Sequence, residues 1–163
     1  MRIVHAGRSF VLCSVVCALL SAAPVMAAID SYMTVTGAKQ GPIKGDGMSE
    51  KIHLVSVVHD TATGMSTGRR THGTITIVKE VDSASPKLFT ALSTNETLKQ
   101  VAITFQGASG DAKTAQKIVL TNATIVSIHK VGSNEEIRLD YQTIEVTWVK
   151  GGTTMSDDWS VPK

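Results

Sequence analysis

Between Gly64 and Gly68 the chain reads Gly-Met-Ser-Thr-Gly, the G-x-S-x-G spacing that in serine hydrolases presents a nucleophilic hydroxyl on a sharp strand-to-helix turn. That turn works only where a strand precedes it, a helix follows it and a parallel sheet lies beneath. Here Arg69, Arg70, Thr71 and His72 follow, and then Thr74-Ile75-Thr76-Ile77-Val78, whose alternation predicts a strand. The context of an elbow is missing, and His72, His129 and scattered carboxylates make no triad by sequence proximity. Metal chemistry fares no better. His53, His59, His72 and His129 have no His-x-His or cysteine partner. His53 and His59 share a face of one expected strand but stand about 20 Å apart at ~3.3 Å per residue. Asp157-Asp158 reads as a solvated pair, and the sequons Asn95-Glu96-Thr97 and Asn122-Ala123-Thr124 are patterns that chance produces often. No catalytic residue, metal ligand or cofactor is assigned, and the chain is not read as an enzyme.

The first 27 residues read as an export signal: Arg2 and Arg8, an apolar run from Phe10 to Leu20, and Val25-Met26-Ala27 at the cleavage positions. The apolar run is well short of the ~20 residues a spanning helix needs, which argues against an anchor. Both cysteines, Cys13 and Cys17, lie in this segment, so a chain beginning at Ala28 has no disulfide to hold it. Removing Arg2 and Arg8 leaves 14 basic residues against 14 acidic ones. That balance argues against nucleic acid or an anionic membrane as a partner after signal cleavage.

Residues 28–163 suit one domain with a substantial core. Val, Ile and Thr recur in short runs, giving expected strands at Ser31–Thr36, Lys51–His59, Gly73–Val81, Leu98–Gln106, Gln116–Lys130 and Glu136–Lys150. One helix is expected over Pro86–Thr94. Ser85 is its expected cap, with Asp82 nearby and Pro86 at the first helical position; Leu88, Phe89 and Leu92 form its apolar face, and Asn95 is a left-handed terminator. Strands in series with one helix suggest a mainly β fold: a closed or nearly closed antiparallel barrel with a flanking helix.

The last strand changes register. Ile137, Leu139 and Tyr141 share one face, but the next apolar set, Ile144, Val146 and Trp148, is offset by three. The offset calls either for a bulge near Gln142-Thr143 or for one strand ending at Tyr141 and another beginning at Ile144. The same slip occurs between Leu120 and Ala123.

Three pieces in order carry a family likeness: the loop Thr67-Gly68-Arg69-Arg70-Thr71-His72, the strand after it, and the helix start Asp82-Ser83-Ala84-Ser85-Pro86-Lys87-Leu88. With the opening strand at Ser31, the switching last strand and Trp159 near the end, they resemble the haemolysin-coregulated protein (Hcp) family of type VI secretion, over essentially the whole of 28–163. The resemblance implies a structural tube subunit: a small barrel that closes into hexameric rings, which stack into a tube and shelter small effector proteins. Sheath and spike are its further implied partners. It makes Thr67, Gly68, Arg69, Arg70 and His72 contacts to the neighbouring ring. Ser85, Pro86, Leu88 and Leu92 are left to cap and dock the helix. Read without it, the same stretch is a long polar loop with two adjacent arginines, either functional or merely solvated.

The leader departs from the family, whose tubes are built in the cytoplasm. A paralogue working in the periplasm or outside the cell, a true start near Ala28, or a cytoplasmic protein with an unusual apolar leader would each account for it. The order of the signal regions favours the first, a secreted or periplasmic protein. The alternative function is an exported Hcp-like binding module acting outside the type VI machine.

Overall fold

The computed structural model describes residues 30–46, 50–60, 73–107 and 114–159. In chain order they form β1 (Ser31–Gly37), β2 (Gly41–Ile43), β3 (Ile52–Leu54), β4 (Ser56–His59), β5 (Ile75–Glu80), α1 (Ser85–Ser93), β6 (Leu98–Gln106), β7 (Thr114–Val131), β8 (Asn134–Asp140), β9 (Thr143–Trp148) and β10 (Thr153–Asp158). All pairings are antiparallel. Hydrogen-bonded neighbours follow the order β2-β1-β6-β7-β8-β5-β4, with β3 sharing the edge of β1 and β9-β10 lying beside the first half of β7.

The fold is mainly β with one helix, as expected; among the described residues the hydrogen-bonded path runs from β2 to β4 without closing into the expected barrel. The expected strand Lys51–His59 is two strands that bend at Val55, β3 pairing with β1 and β4 with β5. One amide, Val55 N, donates to Val78 O at 2.7 Å and carries the chain from one partner to the other. His53 and His59 therefore do not share one flat strand.

Alternation decides the core. In β5, Ile75 and Ile77 face Leu139 and Ile137 of β8, and all four are buried. Met33, Val35, Val101, Ile103, Ile118 and Leu120 supply the other wall, and Leu88 and Ala91 of α1 complete it. Each of the larger side chains among these contributes about 1.5–3 kcal/mol by leaving water, before chain entropy is subtracted.

The apolar offset is resolved by a shared bend. β7 is continuous through Asn122, which adopts a left-handed φ of 51°, while its partner breaks between β8 and β9 at Tyr141-Gln142. Gln142 N donates to Thr121 O at 3.2 Å and Asn122 Nδ2 to Gln142 Oε1 at 2.9 Å. Thr121 pairs with Thr143 and Thr124 with Asp140, so two residues are skipped on each side and the register is unchanged. The reading with two strands holds; a bulge at Gln142-Thr143 does not. The register shift falls instead between Ile125 and Ser127, where Val126 is exposed. β2 and β10, which carry little apolar alternation, were not expected.

Candidate functional site

The loop residues Thr67, Gly68, Arg69, Arg70 and His72 lie outside the described residues, as do residues 64–66 and the leader 1–27. What holds the ends of that loop is visible. Asp60 N donates to Thr74 O at 3.1 Å, closing a neck between β4 and β5. A Cβ on Gly73 would land on the carbonyl oxygen of Asp60, so only glycine permits this approach. The strands on either side are antiparallel, His59 opposite Ile75, which is not the parallel strand-to-helix setting of a nucleophile elbow. Beside the neck, His59 Nε2 and the Tyr141 hydroxyl are 3.1 Å apart, with the rings edge to face. Burial lowers the His59 pKa against the pull of Asp60, and burial raises that of Tyr141 with help from Asp140 and Asp157.

The helix residues are brought together, with three corrections. Ser85 does not cap α1: Ala84 holds that position with no side-chain bond, and Ser85 is the first helical residue. Asp82 instead fixes the turn before the helix, Oδ1 accepting the Ala84 amide at 3.0 Å. Pro86, expected at the first helical position, is the second, behind Ser85 but still in the opening turn; Leu88 is buried in the core and Leu92 packs against it half-buried. Phe89, expected on that face, is exposed; Ala91, three residues from Leu88, takes its place. At the other end, Asn95 has φ 48°, Glu96 N donates to Ala91 O at 2.8 Å and Asn95 N to Leu92 O at 3.1 Å, the bond pair of a Schellman ending.

Ser85 is absent from the cap because its hydroxyl belongs to a buried ion cluster. Lys79 is fully buried; its Nζ lies 2.7 Å from Asp82 Oδ1 and 3.3 Å from Glu135 Oε2, and donates to Ser85 Oγ at 3.0 Å and to Glu80 O at 2.6 Å. Ser85 Oγ in turn donates to Glu135 at 2.7 Å and accepts the Asp82 amide at 3.1 Å. The cluster clamps the start of α1 to the rim of β5 and β8. A signal for it existed: Lys79 continues the inward alternation of Ile75 and Ile77. Glu96, also buried, clamps the β1–β2 turn by accepting the amides of Lys39 at 2.6 Å and Gln40 at 2.9 Å. The Gln40 amide first, then that of Lys39, holds its carboxyl below its usual range against the opposing effect of burial.

Two surfaces remain open. A cleft of about 400 Å³ lies between the β3–β4 bend and the β5–α1 connection, lined by Asp46, Lys51, His53, Leu54, Val55, Glu80, Val81 and Asp82. Hydrogen bonds from Ser83 hold the Asp46 carboxyl below its usual range. At the other side, Thr153–Ser156 of β10 are exposed on both faces, and Trp148, Val149 and Met155 expose apolar surface on that hairpin. Among the described residues no cluster of His, Cys, Asp and Glu is arranged to hold a metal ion.

Residues 32–148 match the family described as "Type VI secretion system effector, Hcp". The chain is 30% identical to the "Major exported protein" of Pseudomonas aeruginosa, over 83% of this chain and 98% of that protein. Its fold is similar to that of the secreted protein Hcp3 from Pseudomonas aeruginosa, with TM-score 0.72 and 29% identity over 81% of this chain and 99% of that one. Hcp1 from the E. coli pathovar EAEC 042 gives TM-score 0.72 and 26% identity over 80% and 99%. Sequence and fold agree: the chain belongs to the Hcp family of type VI secretion.

Proposed function

We propose that this protein is a type VI tube subunit whose 28–163 domain closes into hexameric rings that stack and shelter small effector proteins. The observation that carries this reading is the β9–β10 hairpin. β10 pairs only with β9 among the described residues, and Trp148, Val149 and Met155 expose apolar surface beside that edge. An edge strand with apolar neighbours suits a heterologous, ring-closing interface, one surface meeting a different surface of the next copy. Sheet closure into a small barrel would accompany assembly. Thr67, Gly68, Arg69, Arg70 and His72 supply ring-to-ring contacts, where the planar fork of arginine suits carboxylates. The role is structural and needs no catalytic residue.

The test is the mass of purified protein by native mass spectrometry, with Met155→Lys beside the parent. A hexamer that Met155→Lys reduces to monomers that keep the folded circular-dichroism spectrum at 25 °C supports the assignment. A monomer at every accessible concentration favours the second reading, an exported binding module, to which the export pattern of residues 1–27 points.

A further inference from the structure

The groove at the β3–β4 bend has an apolar floor and a charged rim that call for a particular occupant. Leu54, Val55 and Val81 line it, with Val55 57% and Val81 45% exposed, a large fraction for valines beside one another. Its carboxylates Asp46, Glu80 and Asp82 outnumber the lining lysine, Lys51, and buried Lys79 is shared between Asp82 and Glu135, so it does not cancel them. The net field at the mouth is negative, over an apolar surface that a chain segment with small or apolar side chains could cover.

This chain contains a segment of complementary chemistry, Gly64-Met65-Ser66-Thr67-Gly68-Arg69-Arg70, in which two adjacent cations follow a methionine among small residues. We infer that the groove of one copy receives the Arg69-Arg70 segment of another copy. The inference rests on the stacking role proposed above for that segment and names the surface it meets.

The placement of the two features favours a second copy over self-docking. The segment leaves the β4–β5 hairpin at the His59–Ile75 end, and the groove sits at the opposite end, beyond Ser56 and Val78. Arg69 is four residues from Gly73, at most about 14 Å of extended chain. Glu80 is seven residues from the same Gly73 along β5, about 23 Å at ~3.3 Å per residue. Within one copy the Arg69 backbone thus stops short of Glu80 at the far wall of the groove, whereas a second copy set end to end would present the segment to that wall. Because donor and acceptor are at opposite ends, the contact is head-to-tail and propagates without a symmetric terminus.

The experiment is charge reversal with rescue, read as stack length by electron microscopy and sedimentation, with ring mass followed separately. Glu80→Arg, or Asp46→Lys should that variant fail to fold, is expected to shorten stacks at least tenfold while rings persist. Arg69→Glu with Arg70→Glu is expected to do the same, and combining acceptor and donor reversals restores length. If the arginine reversals shorten stacks but neither acceptor variant does, the groove serves another partner: this inference is overturned and the stacking role stands. If the arginine reversals change nothing, both are overturned. Where the parent does not stack in solution, a fluorescent peptide of residues 61–73 decides by anisotropy. Binding weakened at least tenfold by Glu80→Arg supports the inference, and no binding, or binding indifferent to that change, overturns it.

Discussion

Lys79 is the residue on which the placement of α1 depends, because a fully buried ammonium has no alternative to its protein partners. Removing one member of a buried ion cluster leaves the others uncompensated. Lys79→Met should therefore cost about 3–5 kcal/mol in urea unfolding. The triple change Lys79→Met, Asp82→Asn, Glu135→Gln should recover much of that loss, since no charge is then left buried. Glu96 makes the opposite kind of test, by pH. Its folded pKa is depressed by the Gln40 and Lys39 amides, so its contribution is present above the unfolded value and is lost as pH falls through the folded one. The melting temperature of the parent should drop between about pH 5 and pH 3 more steeply than that of Glu96→Gln. An equal slope in both would remove Glu96 from the account. Neither residue was singled out from sequence. A lysine on the inward face of β5 reads as an error of alternation until its partners are known, and Asp82 and Glu135 come from segments far apart in the chain.

At the scale of elements, α1 was legible because its signals are local: Pro86 lies in its first turn and Asn95 closes it. Asn95 and Asn122 are also the non-glycine residues with positive φ among those described, which accounts for asparagine in both sequons by backbone geometry. Asn95→Val should destabilise by about 1–2 kcal/mol, whereas Asn95→Gly should be close to neutral, measured by thermal unfolding. The break between β8 and β9 was legible in the offset apolar triplets. The location of the bulge was not, because an offset in one strand does not reveal that its partner bends at the same level. β2 and β10 were invisible for a simpler reason: short or mostly exposed strands bury too little to impose a pattern. The exposed side of α1, by contrast, was misread only at Phe89, where hydrophobicity outweighed the helical angle in the assignment.

For the whole molecule, family membership came from motifs that the fold keeps together, while the arginine-bearing segment, read from sequence, falls outside the described residues. One feature within the monomer has consequences of its own. β7 runs unbroken from Thr114 to Val131, with β6 and β9 on its first half and β8 along its second. Opening either wall of the core therefore exposes amides of the same strand, and the two walls cannot melt as independent units. Hydrogen–deuterium exchange should find Ile118, Leu120, Ile125 and Ile128 exchanging at the pace of global unfolding, with one free energy of opening shared along the strand. Two distinct exchange classes, split at Asn122, would mean that the bend is a mechanical joint and that a subunit under load yields one wall at a time.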